Sequence, residues 1–594
     1  MKLNHLQFEP SINRVRPIAG DAANLLPRYT GVPQSPIDPD DPYKNTFTGL
    51  FYGNVTDENG KERQYMFYIP STMKPSGSTM LVFIPGKTEP EDFFISCAWE
   101  QLLEETEITA FFISAPEGWN LDDPGYEIDT ASKVFAMMRA NEYFIGNNPA
   151  TYTSGFGDGA KIAAVFSILY SCLLAGWGAC GDTSLPDELL EKLGNAPCDC
   201  DSNIPKKEVG LPAYFCEPRL SSVFNYYHRA NKSEELPVKD GDVDVYCQKK
   251  GLSDVLLNDE CCRELRYHKC SGCPSDKIVR EIVSFLYGFK CWGGTSYPDI
   301  RRNEELYRDK FILYDKTIDG LKRRWRIFTP GSYESNRSKK RPLVVAIHGF
   351  TCSGPFFAEN SDWHKVAQAR DFFVVYPTAY PRKPVQSVSV RSGFSAGMPP
   401  ANTWRTSLDI GISAEPLDDV SFISQMLDDI ESEFPIDKER IYVTGHSNGS
   451  AMTQELMRRI PGRFAGFCGV GFMECLNEVV YEPDDGMIRN IWYIVGEHDL
   501  YDGSLEGDNW NTRTLKMICA SDNIAYDLSN SFECGPYSTT VFYDDRKRPL
   551  VMHTQIKNFP HSYTPELSFK IYDEFFCHYR RSADGKLIYN GDRI

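Results

Sequence analysis

The chain repeats itself. Four blocks recur in the same order, with similar spacing, in its two halves. Arg63 to Pro70 (RQYMFYIP) is matched by Arg324 to Pro330 (RWRIFTP), and Leu81 to Gly86 (LVFIPG) by Val344 to Gly349 (VVAIHG). Phe111 to Pro116 (FFISAP) is matched by Phe372 to Pro377 (FFVVYP), and Thr153 to Gly159 (TSGFGDG) by Val443 to Gly449 (VTGHSNG). A duplicated domain explains such an order better than chance. The 594 residues leave room for it, since a single core rarely grows past roughly 250–300 residues. The expected division is an N-terminal extension over 1–45, a first domain over 46–297 and a second over 298–594. Gly293 to Asn303, which begins with the pattern-breaking GGTSYP, marks the linker.

Within each half, short apolar runs alternate with amphipathic stretches. In the second half the runs are Leu343 to Ile347, Phe372 to Tyr376, Ile441 to Thr444, Phe464 to Val470 and Ile491 to Val495. Runs without polar alternation belong to strands covered on both faces. Val420, Ile423, Met426, Leu427, Ile430 and Phe434 recur at helical spacing, and Ser450 to Arg459 is a second helix, stopped by Pro461. The fold class is therefore α/β: tandem copies of one domain, each a mostly parallel, doubly wound sheet.

The pattern G-x-S-x-G, which exposes a serine on a tight turn between a strand and a helix, occurs twice. Around Ser395 the flanks are polar on one side and Met398-Pro399-Pro400 on the other, so no helix can follow and a loop is expected. Around Ser447 the strand Ile441 to Thr444 leads in and the helix from Ser450 leads out, which makes Ser447 the candidate nucleophile. A serine hydroxyl needs a base and an orienting acid, and on this kind of sheet they follow in the order acid, then histidine. His561 lies in a loop after a strand and before Pro565, as a base should. His553 falls inside the strand Val551 to Ile556, and His578 in an expected amphipathic terminal helix, Phe575 to Arg580. Asp499 follows the strand Ile491 to Val495 and is the expected acid, with Glu497 and Asp502 as alternatives. The amides of Asn448 and Phe350 are the expected oxyanion donors, and His348, Gly349, Trp404 and His446 the candidate substrate contacts.

Lys plus Arg number 63 against 82 Asp plus Glu, a net charge of −19. That sign repels phosphate backbones and anionic lipid, so nucleic acid and membrane surfaces are not expected partners. No apolar run reaches the roughly 18 residues that span a bilayer. Met1 to Gln7 lacks the apolar core of a signal peptide, giving the expectation of a cytoplasmic chain, or a secreted one if the true N-terminus lies upstream. Of the 18 cysteines, twelve lie between Cys97 and Cys291. Free thiols and disulfides both remain open for them. Zinc is not expected, because of the close pairs only Cys270 and Cys273 have the C-x-x-C spacing and His268 is in no ligand register.

The segments Pro416 to Ile423, Ile436 to Gly449 and Met452-Thr453, with His348-Gly349 and the Pro560-His561 loop, resemble the polyhydroxybutyrate depolymerase and feruloyl esterase group of α/β hydrolases. The resemblance runs from about Arg324 to Tyr579. It implies hydrolysis of a small or oligomeric carboxylic ester through an acyl-enzyme, with no cofactor and no metal, by Ser447, Asp499 and His561. A serine peptidase, an acyltransferase and a non-catalytic binding protein are the rival readings. The first half resembles the same fold with its chemistry erased: Gly157 stands at the nucleophile, Pro85 at the oxyanion-loop histidine, Asn231 at the acid and Cys270 at the base. Shaping or capping a neighbouring site, binding part of a substrate, and homodimerisation are its expected roles.

Overall fold

The computed structural model describes residues 12–13, 48–56, 60, 62–71, 77–139, 146–197, 205–249, 263–292, 299–302, 311–382, 401–406, 417–473, 486–499 and 503–594. The chain forms two compact units that divide between Asn303 and Glu304. Asp299–Arg302 pairs antiparallel with Phe289–Trp292 and so stays with the first unit, a few residues beyond the expected boundary. The Ser395 loop, Asp502 and nearly all of the N-terminal extension lie outside the described residues.

Each unit is built on one large sheet. In the first, the strands in chain order are β1 (Gly49–Thr56), β2 (Glu62–Ile69), β3 (Gly77–Phe83), β4 (Ile108–Ile113), β5 (Gly146–Phe156), β6 (Gly176–Cys180), β7 (Ala213–Glu217), β8 (Val238–Asp240), β9 (Val243–Tyr246) and β10 (Leu265–Lys269). In the second they are β11 (Phe311–Ile318), β12 (Leu321–Phe328), β13 (Arg341–Ile347), β14 (Phe373–Thr378), β15 (Ile436–His446), β16 (Gly466–Val470), β17 (Ile491–His498), β18 (Ser531–Cys534), β19 (Tyr537–Tyr543) and β20 (Pro549–Pro560). The spatial orders are β1-β2-β4-β3-β5-β6-β7-β10-β9-β8 and β11-β12-β14-β13-β15-β16-β17-β20-β19-β18. The two sheets are the same topology, strand for strand. The first also carries Ile12–Asn13 on its β1 edge. In both, the six central strands run parallel and an antiparallel pair finishes each side.

The apolar runs occupy the central strands, as expected. Every residue of β13, β14 and β16 is buried, because helices cover both faces. Asp419–Glu433 and Asn448–Arg459 supply two of those helices in the second unit. The terminal segment differs from expectation. Phe576–His578 is a single 3₁₀ turn, and Tyr579–Arg581 is a strand of a small three-stranded sheet. Buried Phe575, Phe576 and Tyr579 satisfy helical spacing within that turn, while alternation takes over where Tyr579 and Arg581 point inward and Arg580 outward.

The strand registers also correct the alignment of the repeats. Phe83 pairs with Gly155 as Ile347 pairs with Gly445, so Ile84, not Pro85, is the counterpart of His348. Trp119 donates to the Ile84 carbonyl as Trp404 donates to that of His348. Pro85, Gly86 and Lys87 then match Gly349, Phe350 and Thr351, and Lys87 and Thr351 share a left-handed backbone with φ of 62° and 61°.

Candidate active site

Ser447 sits where β15 turns into the helix Asn448–Arg459, with φ 54° and ψ −117°. That left-handed conformation is strained for a residue with a Cβ, and the packing around it leaves no alternative. A Cβ on Gly445 would lie 2.1 Å from the Gly449 carbonyl oxygen, and one on Gly449 would lie 2.3 Å from that of Ile347. Helix and strands are in backbone contact there, so the serine is pushed above the sheet's carboxyl edge.

Two other strand ends bring the partners. β20 ends at Pro560, and His561 follows before the helix Pro565–Glu574. Its Nε2 is 2.8 Å from Ser447 Oγ and its Nδ1 is 2.6 Å from Asp499 Oδ1. The Asp499 side chain is only 1% exposed, and its Oδ2 accepts from the Gly496 amide at 3.4 Å. The structure thus brings Ser447, His561 and Asp499 into one hydrogen-bonded line. Glu497 is exposed to solvent instead. His553, inside β20, is buried, and desolvation pushes its imidazole down from 6.5 to about 4.

His446 lies beneath the line. Its ring centroid is 4.9 Å from that of His561. Gly471 (φ 75°) leaves space for both rings, since a Cβ there would lie 3.1 Å from His446 Nε2 and 3.2 Å from His561 Cε1. Burial, then the neighbouring His561, holds His446 well below the ordinary range, so it is neutral. Its sealed Nε2 has no hydrogen-bond partner among the described residues.

Three expected substrate contacts turn inward instead. His348 is fully buried, and desolvation pushes it down to about 4. Its Nε2 accepts from the Ala379 amide at 3.0 Å while Nδ1 donates to the Gly349 carbonyl at 2.6 Å. Trp404 is likewise buried. Its indole donates to the His348 carbonyl at 2.9 Å and its amide to Asn448 Oδ1 at 2.7 Å. Gly349 is buried too, and a Cβ on it would meet Ser447 Cβ at 3.4 Å. These residues fix the loop and the elbow rather than face a ligand. Polar side chains this deep persist because each finds a partner.

The same apparatus holds the expected oxyanion donors. The Asn448 amide opens the helix after Ser447, and its side chain also accepts from Thr403 Oγ1 at 3.2 Å. Behind it, buried Asp419 pairs with Arg323 and accepts from the Arg405 amide at 2.7 Å. Phe350 stands between Gly349 and Thr351, whose amide donates to the Asn402 carbonyl at 3.0 Å. Sequence reasoning missed Asp419, Arg323 and Thr403, although Asp419 belongs to the segment that carried the family resemblance.

In the first unit the corresponding positions are blocked. Gly157 replaces the serine, with φ 60°. The Gly86 amide, counterpart of that of Phe350, donates to the Asp158 carboxylate at 2.6 Å. The base position is Gly272 rather than Cys270. Gly272 and His561 each stand three residues before a helix-capping residue, Ser275 or Thr564, and each abuts the glycine that follows β6 or β16. The acid position is not Asn231, which is buried and donates to the Leu211 and Arg263 carbonyls. Counting from the β7 register puts it at Ser221, whose hydroxyl caps the helix Ser222–Ala230.

No protein-family model matches the chain. It is 28% identical over 176 residues to the bifunctional acetylxylan esterase/xylanase of Neocallimastix patriciarum, a stretch covering 30% of this chain and 22% of that protein. It is 28% identical over 139 residues to acetylxylan esterase A of Aspergillus ficuum, covering 23% and 39% of the two chains. It is 32% identical over 125 residues to poly(3-hydroxyalkanoate) depolymerase C of Paucimonas lemoignei, covering 21% and 26%. The matches therefore span between about a fifth and two fifths of these relatives' lengths. They bear out the resemblance to the depolymerase and esterase group.

Proposed function

We propose that the second unit is a serine esterase that cleaves a carboxylic ester through an acyl-enzyme, and that the first unit is a non-catalytic copy of it. The observation that carries this reading is the line from Ser447 Oγ through His561 to Asp499. In that line Nε2 is the acceptor for the serine proton, because Nδ1–H is committed to the carboxylate. Ser447 Oγ attacks the acyl carbonyl as His561 takes its proton. The imidazolium formed is stabilised by Asp499 and returns the proton to the departing alkoxide. Water, activated by the same imidazole, then releases the acid. The amides of Asn448 and Phe350 face the developing oxyanion, where one donor is typically worth about 3–4 kcal/mol.

The acetylxylan esterases among the relatives support a short acyl group on a sugar as the substrate. Feruloyl and hydroxyacid esters are the neighbouring classes, as the depolymerase indicates for the latter. Turnover of acetyl-sugar, feruloyl, hydroxybutyrate and nitrophenyl esters by wild type and Ser447→Ala tests the proposal. Wild type should hydrolyse at least one class and prefer the acetyl sugar, with Ser447→Ala inert. Activity that survives in Ser447→Ala, or wild type inert on every ester, overturns it.

A further inference from the structure

Where the second unit keeps its triad, the carboxyl edge of the first unit's sheet holds sulfur. Cys180 ends β6, Cys216 lies at the end of β7, and Cys270 follows β10. Their three Sγ atoms all lie within 4.8 Å of one another. Cys216 and Cys270 are joined as a disulfide, which accounts for two of the three. The third, Cys180, is fully buried and converges on the same point. The fold does not require thiols here: by strand register the second unit places Val470, Ile494 and Ile556 at these positions, all buried.

We infer that Cys180, Cys216 and Cys270 form a soft-metal site, of the kind that takes Zn(II), once the Cys216–Cys270 bond is reduced. Zinc–thiolate bonds of about 2.3 Å set tetrahedral sulfurs about 3.8 Å apart, and these three already lie within 4.8 Å of one another. One local feature suits a thiolate ligand: the Gly272 amide donates to Cys270 Sγ at 3.2 Å. Cys273 follows Cys270 in the C-x-x-C spacing, but it is exposed and its sulfur is not among the three that converge. Half-buried Cys270 gives the route in. Pairwise spacing hid this set because its members come from three separate strand ends. Glu217 is not a ligand, for its carboxylate is engaged by Thr183 and Ser221.

The chemistry balances. A dithiol reductant gives two electrons to the Cys216–Cys270 bond and leaves as its own disulfide, and the two protein sulfurs take up its two protons. The metal ion then displaces three thiol protons to solvent as three metal–sulfur bonds form.

The test uses the full-length chain, reduced by a dithiol, exchanged anaerobically into thiol-free buffer and titrated with Co(II). Expected are one cobalt per chain, thiolate-to-cobalt charge-transfer bands with the strong visible bands of a tetrahedral centre, and their loss on adding Zn(II). Cys180→Ser, which keeps the disulfide pair, should lose these bands, and Cys97→Ser should retain them. Circular dichroism on each sample shows that the fold survives reduction. A native disulfide that resists the dithiol, reduced and folded wild type without the bands, or Cys180→Ser binding cobalt as wild type does would each overturn the inference. If reduction itself unfolds the unit, recovery of the fold on adding metal supports the site and its absence overturns it.

Discussion

Replacing Asp499 by asparagine removes a charge while keeping the shape, so it tests the proton's direction rather than the packing. In the native site one carboxylate oxygen accepts His561 Nδ1–H at 2.6 Å and the other accepts the Gly496 amide at 3.4 Å. An asparagine can keep its oxygen on His561 only by aiming its NH₂ at the Gly496 N–H, donor against donor. The flipped amide satisfies both partners, but its NH₂ then donates to Nδ1. The imidazole proton must move to Nε2, which faces Ser447 Oγ at 2.8 Å and can no longer take the serine's proton. The wrong tautomer, together with loss of the buried charge that stabilises the imidazolium, costs about 10⁴-fold in kcat in serine proteases, or about 5–6 kcal/mol. Asp499→Asn should therefore lose activity on the best ester by about that factor, with KM little changed and the thermal midpoint close to wild type. A stopped assay over a range of enzyme concentrations, with the melting curve alongside, measures both. Activity within tenfold of wild type would refute the assignment and turn attention to Glu497 or Asp502.

Asn448→Ala removes the ties to Thr403 and Trp404 and should lower kcat more than it raises KM, by about 10-fold or more, since a donor misplaced at the elbow weakens only the transition state. Cutting the buried Arg323–Asp419 pair by Asp419→Asn should cost about 3–5 kcal/mol in denaturant unfolding, because it strands a guanidinium away from water. His553 titrates near 4 in the folded chain against 6.5 ordinarily. A depressed pKa means stability that is complete above pH 6.5 and lost as pH falls towards 4, by about 3 kcal/mol at most. His553→Gln should flatten the stability-against-pH curve by about 2.4 kcal/mol between pH 7 and 4.5, and an unchanged slope would contradict the assignment. In the first unit, Gly157→Ser combined with Ser447→Ala should give no fluorophosphonate-reactive serine, since Asp158 occupies the Gly86 amide and Gly272 supplies no base.

Much of the second unit was legible because its signals are local. Short continuous apolar runs bounded by turn residues read as strands covered on both faces, the glycines around Ser447 are dictated by backbone contact, and chain order then singles out Asp499 and His561. The misreadings arose where sequence does not carry direction. His348 and Trp404 stand beside the elbow in sequence or in space, yet their ring nitrogens are spent on backbone partners below it, which only the packing reveals. The likeness of Ile84-Pro85-Gly86 to Ile347-His348-Gly349 drew the repeats one residue out of register, and hydrogen bonding between strands is what sets it. Cys270 was taken for the lost base by rough alignment of the two halves. Once the helix cap at Ser275 and the contact with Gly181 place Gly272 there, Cys270 joins the sulfur cluster instead.

The central claim is one fold present twice and chemically competent once. Labelling the full-length chain with a fluorophosphonate and mapping the adduct by peptide mass spectrometry tests it most directly. The account predicts one label per chain, on Ser447, with no serine before Asn303 modified. A label on Ser395, a label anywhere in the first unit, or no label on a folded chain would contradict it.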